Sequence, residues 1–75
     1  MKEYTNSEIQ KAIDEFIHSE RNRQILKRRF IDGKTYEGLA EEYDMSVAQV
    51  KRIIYKYGDY IILKISAEGG KNDDN

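Results

Sequence analysis

The chain has 75 residues, a formal net charge of −1, no cysteine and no proline. That length holds one small domain with a modest core, and the missing cysteines exclude a disulfide framework or a thiolate metal site and fit a reducing cytoplasm. No apolar run approaches the ~18–20 residues that span a bilayer, and MKEYTNSEIQ does not read as a signal peptide, so no membrane association is expected.

Ile9, Ala12, Ile13, Phe16 and Ile17 recur at helical spacing and predict a first amphipathic helix over about 7–18. Asn6 or Ser7 is placed to cap its start, and Glu8 in the first turn suits the positive end of the helix dipole. Ser19 reads as a second N-cap, opening a helix over about 20–31. In it Ile25, Leu26 and Phe30 form the apolar ridge, and Asp32-Gly33 supplies the stop. Thr35 caps a third helix, YEGLAEEY, with Tyr36, Leu39, Ala40 and Tyr43 on one side. Asp44-Met45 makes a turn. Ser46 and Gln49 then form a Ser-x-x-Gln capping box for a fourth helix bearing Val47, Val50, Ile53, Ile54 and Tyr57.

Residues 60–65, YIILKI, have the β-branched content of a strand, but no second strand is available to pair with them. The stripe Val50, Ile54, Tyr57, Ile61 and Ile65 stays in helical register across Gly58, so a continued or kinked helix is expected instead. AEGGKNDDN (67–75) is polar and glycine-bearing and is expected to be a disordered tail, which leaves one domain over 1–66. The fold class expected is all-α, a small bundle of four or five helices.

The third and fourth helices meet the local demands of a helix-turn-helix. Steep packing across a short turn needs a small residue at the crossing, a turn residue that tolerates a left-handed backbone, and apolar anchors beyond it. Ala40 is the small residue, Asp44 takes the turn position that glycine, Asn or Asp can occupy, and Met45, Val50 and Ile53 are the anchors. With those three turned inward, the recognition helix, about 46–57, presents Ser46, Val47, Ala48, Lys51, Arg52 and Tyr55, with Lys56 beside them.

A near-neutral total conceals a segregated charge. Residues 1–20 carry a net −3, residues 21–64 a net +4 and residues 65–75 a net −2, and a polyanion responds to the local field rather than the sum. Lys51 and Arg52 can reach base edges or phosphates, Ser46 can donate to a phosphate, and Val47 or Ala48 can meet a thymine methyl. On the second helix, Arg21 and Arg28 stand one heptad apart on a shared face and, with Lys34 and Thr35, are candidates for phosphates flanking the groove. Arg29 falls on the apolar side, where pairing with an internal acid is the alternative. For each of these cations a solvated helix face is the bland reading.

RQILKRRFIDGKTYEGLAEEYDMSVAQVKRIIYKY (23–57) resembles the fourth region of bacterial sigma factors, and IDGKTYEGLAEEYDMSVAQVKRI is its most specific part. With FIHSERNRQILKRRFIDG ahead of the turn, the resemblance covers about 16–57 and extends to small sigma-like helix-turn-helix proteins of phages and mobile elements of Firmicutes. It implies major-groove reading of promoter DNA through Ser46, Val47, Ala48, Lys51 and Arg52, with RNA polymerase as a further partner. Sigma factors usually carry charged or long polar side chains where this chain has Val47 and Ala48, which leaves Lys51 and Arg52 with most of the base reading. The other sigma regions are not in these 75 residues, so a complete sigma factor is not expected.

An enzyme is not expected, nor a cofactor, a metal or a small-molecule substrate. The chain has one histidine, His18, best read as a helix C-terminal cap or dipole partner, and no glycine-rich phosphate loop or metal-ligand spacing. Glu41, Glu42 and Asp44 read as a solvated face. The rival to double-stranded DNA as partner is a protein: RNA polymerase, another regulator, or a second copy joined through 57–65, with Ile61 and Ile65 in the seam.

Overall fold

Each helix begins on a side-chain cap. In the computed structural model, which describes residues 4–73 and side chains through Ala67, these are α1 (Asn6–Phe16), α2 (Glu20–Phe30), α3 (Tyr36–Glu42) and α4 (Val47–Asp73). No strand occurs among the described residues, and the protein is an all-α bundle containing a helix-turn-helix.

α1 starts one residue earlier than the pattern predicts. Its cap is Thr5, not Asn6 or Ser7: Glu8 N–H donates to Thr5 Oγ1 at 3.1 Å and Thr5 N–H donates to Glu8 Oε1 at 2.9 Å. Glu8 selects Thr5 because a reciprocal capping box requires the two residues to stand three apart. The helix also ends early, at Phe16. Ile17 is extended (φ −106°, ψ 121°) and buried, and its carbonyl accepts from Arg23 Nη1 at 2.8 Å instead of from a helical amide. His18 therefore lies beyond the helix, exposed in the short connection to α2, and caps nothing. Ser19 caps α2, accepting from Asn22 N–H at 3.3 Å, and Gly33 at φ +75° lets the chain reverse after it. Thr35 caps α3 by accepting from Gly38 N–H at 3.0 Å.

α4 runs unbroken through Gly58 and 60–65, so YIILKI is helical. A glycine inside a helix costs about 1 kcal/mol against alanine. Here it admits a neighbour, since a Cβ on Gly58 would stand 2.9 Å from Cζ of Phe30. The backbone stays helical to Asp73, into the stretch expected as a polar tail. Once a helix is nucleated each further residue adds a hydrogen bond, and no proline interrupts the ladder. Residues 74–75 of that stretch lie outside the described residues.

Two apolar clusters share α2 and α4. Ile25, Leu39, Ala40, Val50 and Ile54 form the core of the helix-turn-helix, with Met45, Val47 and Ile53 packed partly buried against it. Ala12, Ile13, Ile17, Leu26 and Ile61 form the second, with Ile9, Phe16, Tyr57 and Ile65 against it. Consecutive residues of α2, Ile25 and Leu26, thus serve different cores. Ile61, 2% exposed, and half-buried Ile65 hold α1 and do not supply an outward seam. The exposed aliphatic residues of that segment are their neighbours Ile62 and Leu63, at 42% and 67%, with Tyr60 beside them at 40%.

This packing sets an expected contrast. Ile61→Ala lowers stability by about 2–5 kcal/mol through the cavity it leaves, and Leu63→Ala stays within about 0.5 kcal/mol of the parent. Thermal unfolding followed by circular dichroism separates the two, and equal losses would contradict the assignment of Ile61 to the α1 core.

Candidate nucleic-acid interface

The angle between α3 and α4 is set by a left-handed residue. Asp44 has φ +57°, and two hydrogen bonds close the end of α3 around it: Met45 N–H to the Ala40 carbonyl at 2.8 Å and Asp44 N–H to the Glu41 carbonyl at 3.4 Å. This is the Schellman arrangement, with an aspartate where glycine is commonest. Met45 then turns toward the core. Ser46 opens α4 with the capping box expected of it, Gln49 N–H donating to Ser46 Oγ at 3.1 Å and Ser46 N–H donating to Gln49 Oε1 at 2.9 Å. The Ser46 hydroxyl accepts in this box and keeps its proton for an outside acceptor.

Beyond the cap, burial divides the helix into two sides. Val50 and Ile54 are buried and Ile53 is half-buried, while Ser46, Ala48, Lys51, Arg52, Tyr55 and Lys56 are exposed. Ala48, Lys51, Arg52 and Tyr55 stand at i, i+3, i+4 and i+7 and so share a face. Val47 departs from the expected set. It is half-buried against the helix-turn-helix core, because its place in the first turn faces α3.

The residues expected to hold phosphates divide as well. Lys34 and Thr35 are exposed in the loop before α3 and at its cap. Arg21 is exposed on the first turns of α2, with its guanidinium 3.3 Å from Oδ1 of buried Asn22. Arg28 is half-buried and held by partners within the protein. Nε donates to the Tyr43 hydroxyl at 3.2 Å, and Nη2 lies 3.2 Å from Glu42 Oε2. Tyr43 and then Glu42 hold the guanidinium above its ordinary pKa, so Arg28 clips α2 to α3 and is not presented with Arg21. Glu42 is accordingly more than a solvated residue. Glu20, at the start of α2, has its carboxyl lowered by hydrogen bonds from Arg23 and Gln24.

Arg29, for which an internal acid is the alternative partner to solvent or phosphate, meets an aromatic ring. Its Cζ lies 4.2 Å from the centre of the Tyr36 ring, and Nη1 donates to the Lys34 carbonyl at 2.8 Å. The same ring has Lys51 Nζ at 5.6 Å and Tyr55 edge-on, with centroids 6.3 Å apart and planes at 89°. Hydrogen bonding with the Tyr36 side chain raises the Tyr55 phenol above its ordinary value. The structure therefore brings Lys51 and Tyr55 together with Arg29 and Tyr36, two residues the apolar pattern assigns to the interior. The aromatic first residue of α3, following an arginine across the Gly33 turn, is the only mark they leave in sequence.

A family profile described as sigma-70, region 4, matches residues 19–56, half of the chain. The chain belongs to this sigma-70 region 4 family. No curated protein and no solved structure matches it. Sigma-70 region 4 is a DNA-binding helix-turn-helix domain, and the matched span runs from the Ser19 cap of α2 through Lys56 of the exposed face. Among the described residues, no helix is long and apolar enough to cross a membrane.

Since Asp44 holds the region 4 turn, its backbone conformation is testable. Asp44→Val forces a β-branched residue into left-handed space and destabilises by at least about 1 kcal/mol. Asp44→Gly retains the parent's stability. Urea titration monitored by circular dichroism reads both, and a tolerated valine would mean that the turn does not need this conformation.

Proposed function

We propose that this sigma-70 region 4 protein is a sequence-specific transcriptional regulator, acting in the cytoplasm and of the kind carried by phages and mobile elements. The observation that carries the reading is the exposed face of α4, where Ala48, Lys51, Arg52 and Tyr55 are aligned behind the Ser46 cap. A helix of this width enters the major groove, and Arg52 and Lys51 are the side chains with reach and chemistry for guanine edges. Ala48 meets a thymine methyl, and Ser46 donates to a phosphate at the helix start. Lys56, Arg21, Lys34 and Thr35 supply further contacts to the strand backbone, which set register without reading sequence. Arg28 is not among them, because Glu42 and Tyr43 occupy it.

Exposed Ile62 and Leu63 favour a second contact, to protein. They lie on α4 beyond the recognition turns, so one copy can hold DNA and meet RNA polymerase or a second copy at once. The seam of a dimer then consists of Ile62 and Leu63 and excludes Ile61. Sedimentation of the parent and of Leu63→Lys separates the cases: a dimer that the variant abolishes supports self-association, and a monomeric parent removes the second copy and leaves RNA polymerase or another regulator as the protein partner.

The DNA reading makes two demands. Lys51→Ala with Arg52→Ala lowers duplex affinity by about 100-fold, the loss of two charged contacts, and leaves the circular-dichroism spectrum unchanged. Affinity for the parent falls steeply as salt rises, because each neutralised phosphate releases counterions. Selection of bound duplexes from random sequence supplies the ligand for both measurements. Parent-like affinity in the double variant would remove α4 as the recognition helix.

A further inference from the structure

We propose that Tyr36 is a positioning residue for DNA binding, whose ring holds Lys51 of the recognition helix and Arg29 of α2 in one fixed arrangement. The inference rests on the reading of α4 as the DNA-contacting helix. Three elements converge on this ring: Arg29 lies in the last turn of α2, Tyr36 begins α3, and Lys51 and Tyr55 lie on α4. Arg29 Cζ stands 4.2 Å from the ring centre and Lys51 Nζ 5.6 Å, within the range over which an aromatic quadrupole attracts a cation. Tyr55 packs edge-on at 89°, and Tyr36 itself is half-buried against the helix-turn-helix core, so the ring cannot swing to follow its cations.

Two physical consequences follow. A free lysine or arginine loses considerable rotamer freedom when it grips a phosphate. A ring that already restricts both side chains removes much of that loss before the duplex arrives. Two cations sharing one ring also repel each other, and a strand of phosphates relieves that repulsion, so the arrangement favours the bound state electrostatically. The π-face carries both effects. The phenolic hydroxyl carries neither, so phenylalanine is a true replacement and an aliphatic residue of similar bulk is not.

The test compares Tyr36→Phe, Tyr36→Leu and Lys51→Ala on a mixed-sequence duplex at low ionic strength, where contacts to phosphate dominate. Tyr36→Phe is expected to bind within about twofold of the parent, and Tyr36→Leu about tenfold more weakly, with thermal melts confirming that each is folded at the assay temperature. A readout that a purely structural role would not move is the NMR shift of the Lys51 side-chain methylenes in the free protein. They are expected upfield of those of Lys34, kept there in Tyr36→Phe and released in Tyr36→Leu. The parent's own Lys51 shift is measured even where Tyr36→Leu fails to fold, and an unshifted Lys51 overturns the proposal. Parent-like binding by folded Tyr36→Leu, with Lys51→Ala weakened, overturns the positioning role alone. Parent-like binding by Lys51→Ala overturns this inference, since Lys51 then has no contact for the ring to position, whereas parent-like binding by the Lys51→Ala, Arg52→Ala double variant removes the recognition-helix reading itself.

Discussion

One left-handed residue decides how the functional half of the molecule is put together. At Asp44 the backbone reverses hand, the amides of Asp44 and Met45 return to the last carbonyls of α3, and Ser46 is delivered at the position where it must cap α4. A residue of ordinary conformation there would continue α3 or splay α4 away from it. Val50 and Ile54 would lose their seats against Leu39 and Ala40, and the apolar burial that stabilises the pair would be forfeited. The side chains presented to solvent depend on the same turn, since the rotation of α4 that buries Val50 exposes Lys51 and Arg52.

The second constraint is the length of α4. Its first turns belong to the helix-turn-helix core and its later turns to the cluster with α1, so one rigid rod is held at two places. Ile25 and Leu26 connect the clusters on α2, where adjacent residues point about 100° apart around the helix axis. Neither cluster is large enough to be very stable alone in a 75-residue chain. Sharing two helices between them lets each support the other, and it makes α1, which lies outside the matched family span, part of what holds α4 in place.

Features that depend on near neighbours in the chain were legible in the sequence. Ser19, Thr35, the Ser46–Gln49 box, the Asp44 turn and the helical path of 60–65 follow from spacings of a few residues, and all occur in the structure. The start of α1 was misread because Thr5, Asn6 and Ser7 are all competent caps, and only the reach of Glu8 distinguishes them. The remaining departures are tertiary. Periodicity identifies Ile61 and Ile65 as apolar but cannot say whether α1 or another molecule covers them. Likewise Val47 reads as outward until α3 is laid against it. The exposed face of α4 was legible because binary patterning marks its opposite side.

Arg28 and Arg29 show most sharply what the fold adds to the sequence. They are adjacent, chemically identical and equally basic in any count of charge, yet a rotation of about 100° sends them to different neighbours. Arg28 meets a carboxylate, which offsets its charge, and the oxygen of a neutral phenol, and the two make it a clip between α2 and α3. Arg29 meets an aromatic face and a carbonyl, neither of which cancels its charge, so it keeps most of its attraction for an anion while losing freedom to move. The basic midsection is therefore not a uniform patch. Charge is retained beside the exposed face of α4 and compensated at the next residue of α2, and this selective compensation is how a chain of net charge −1 keeps a locally cationic surface.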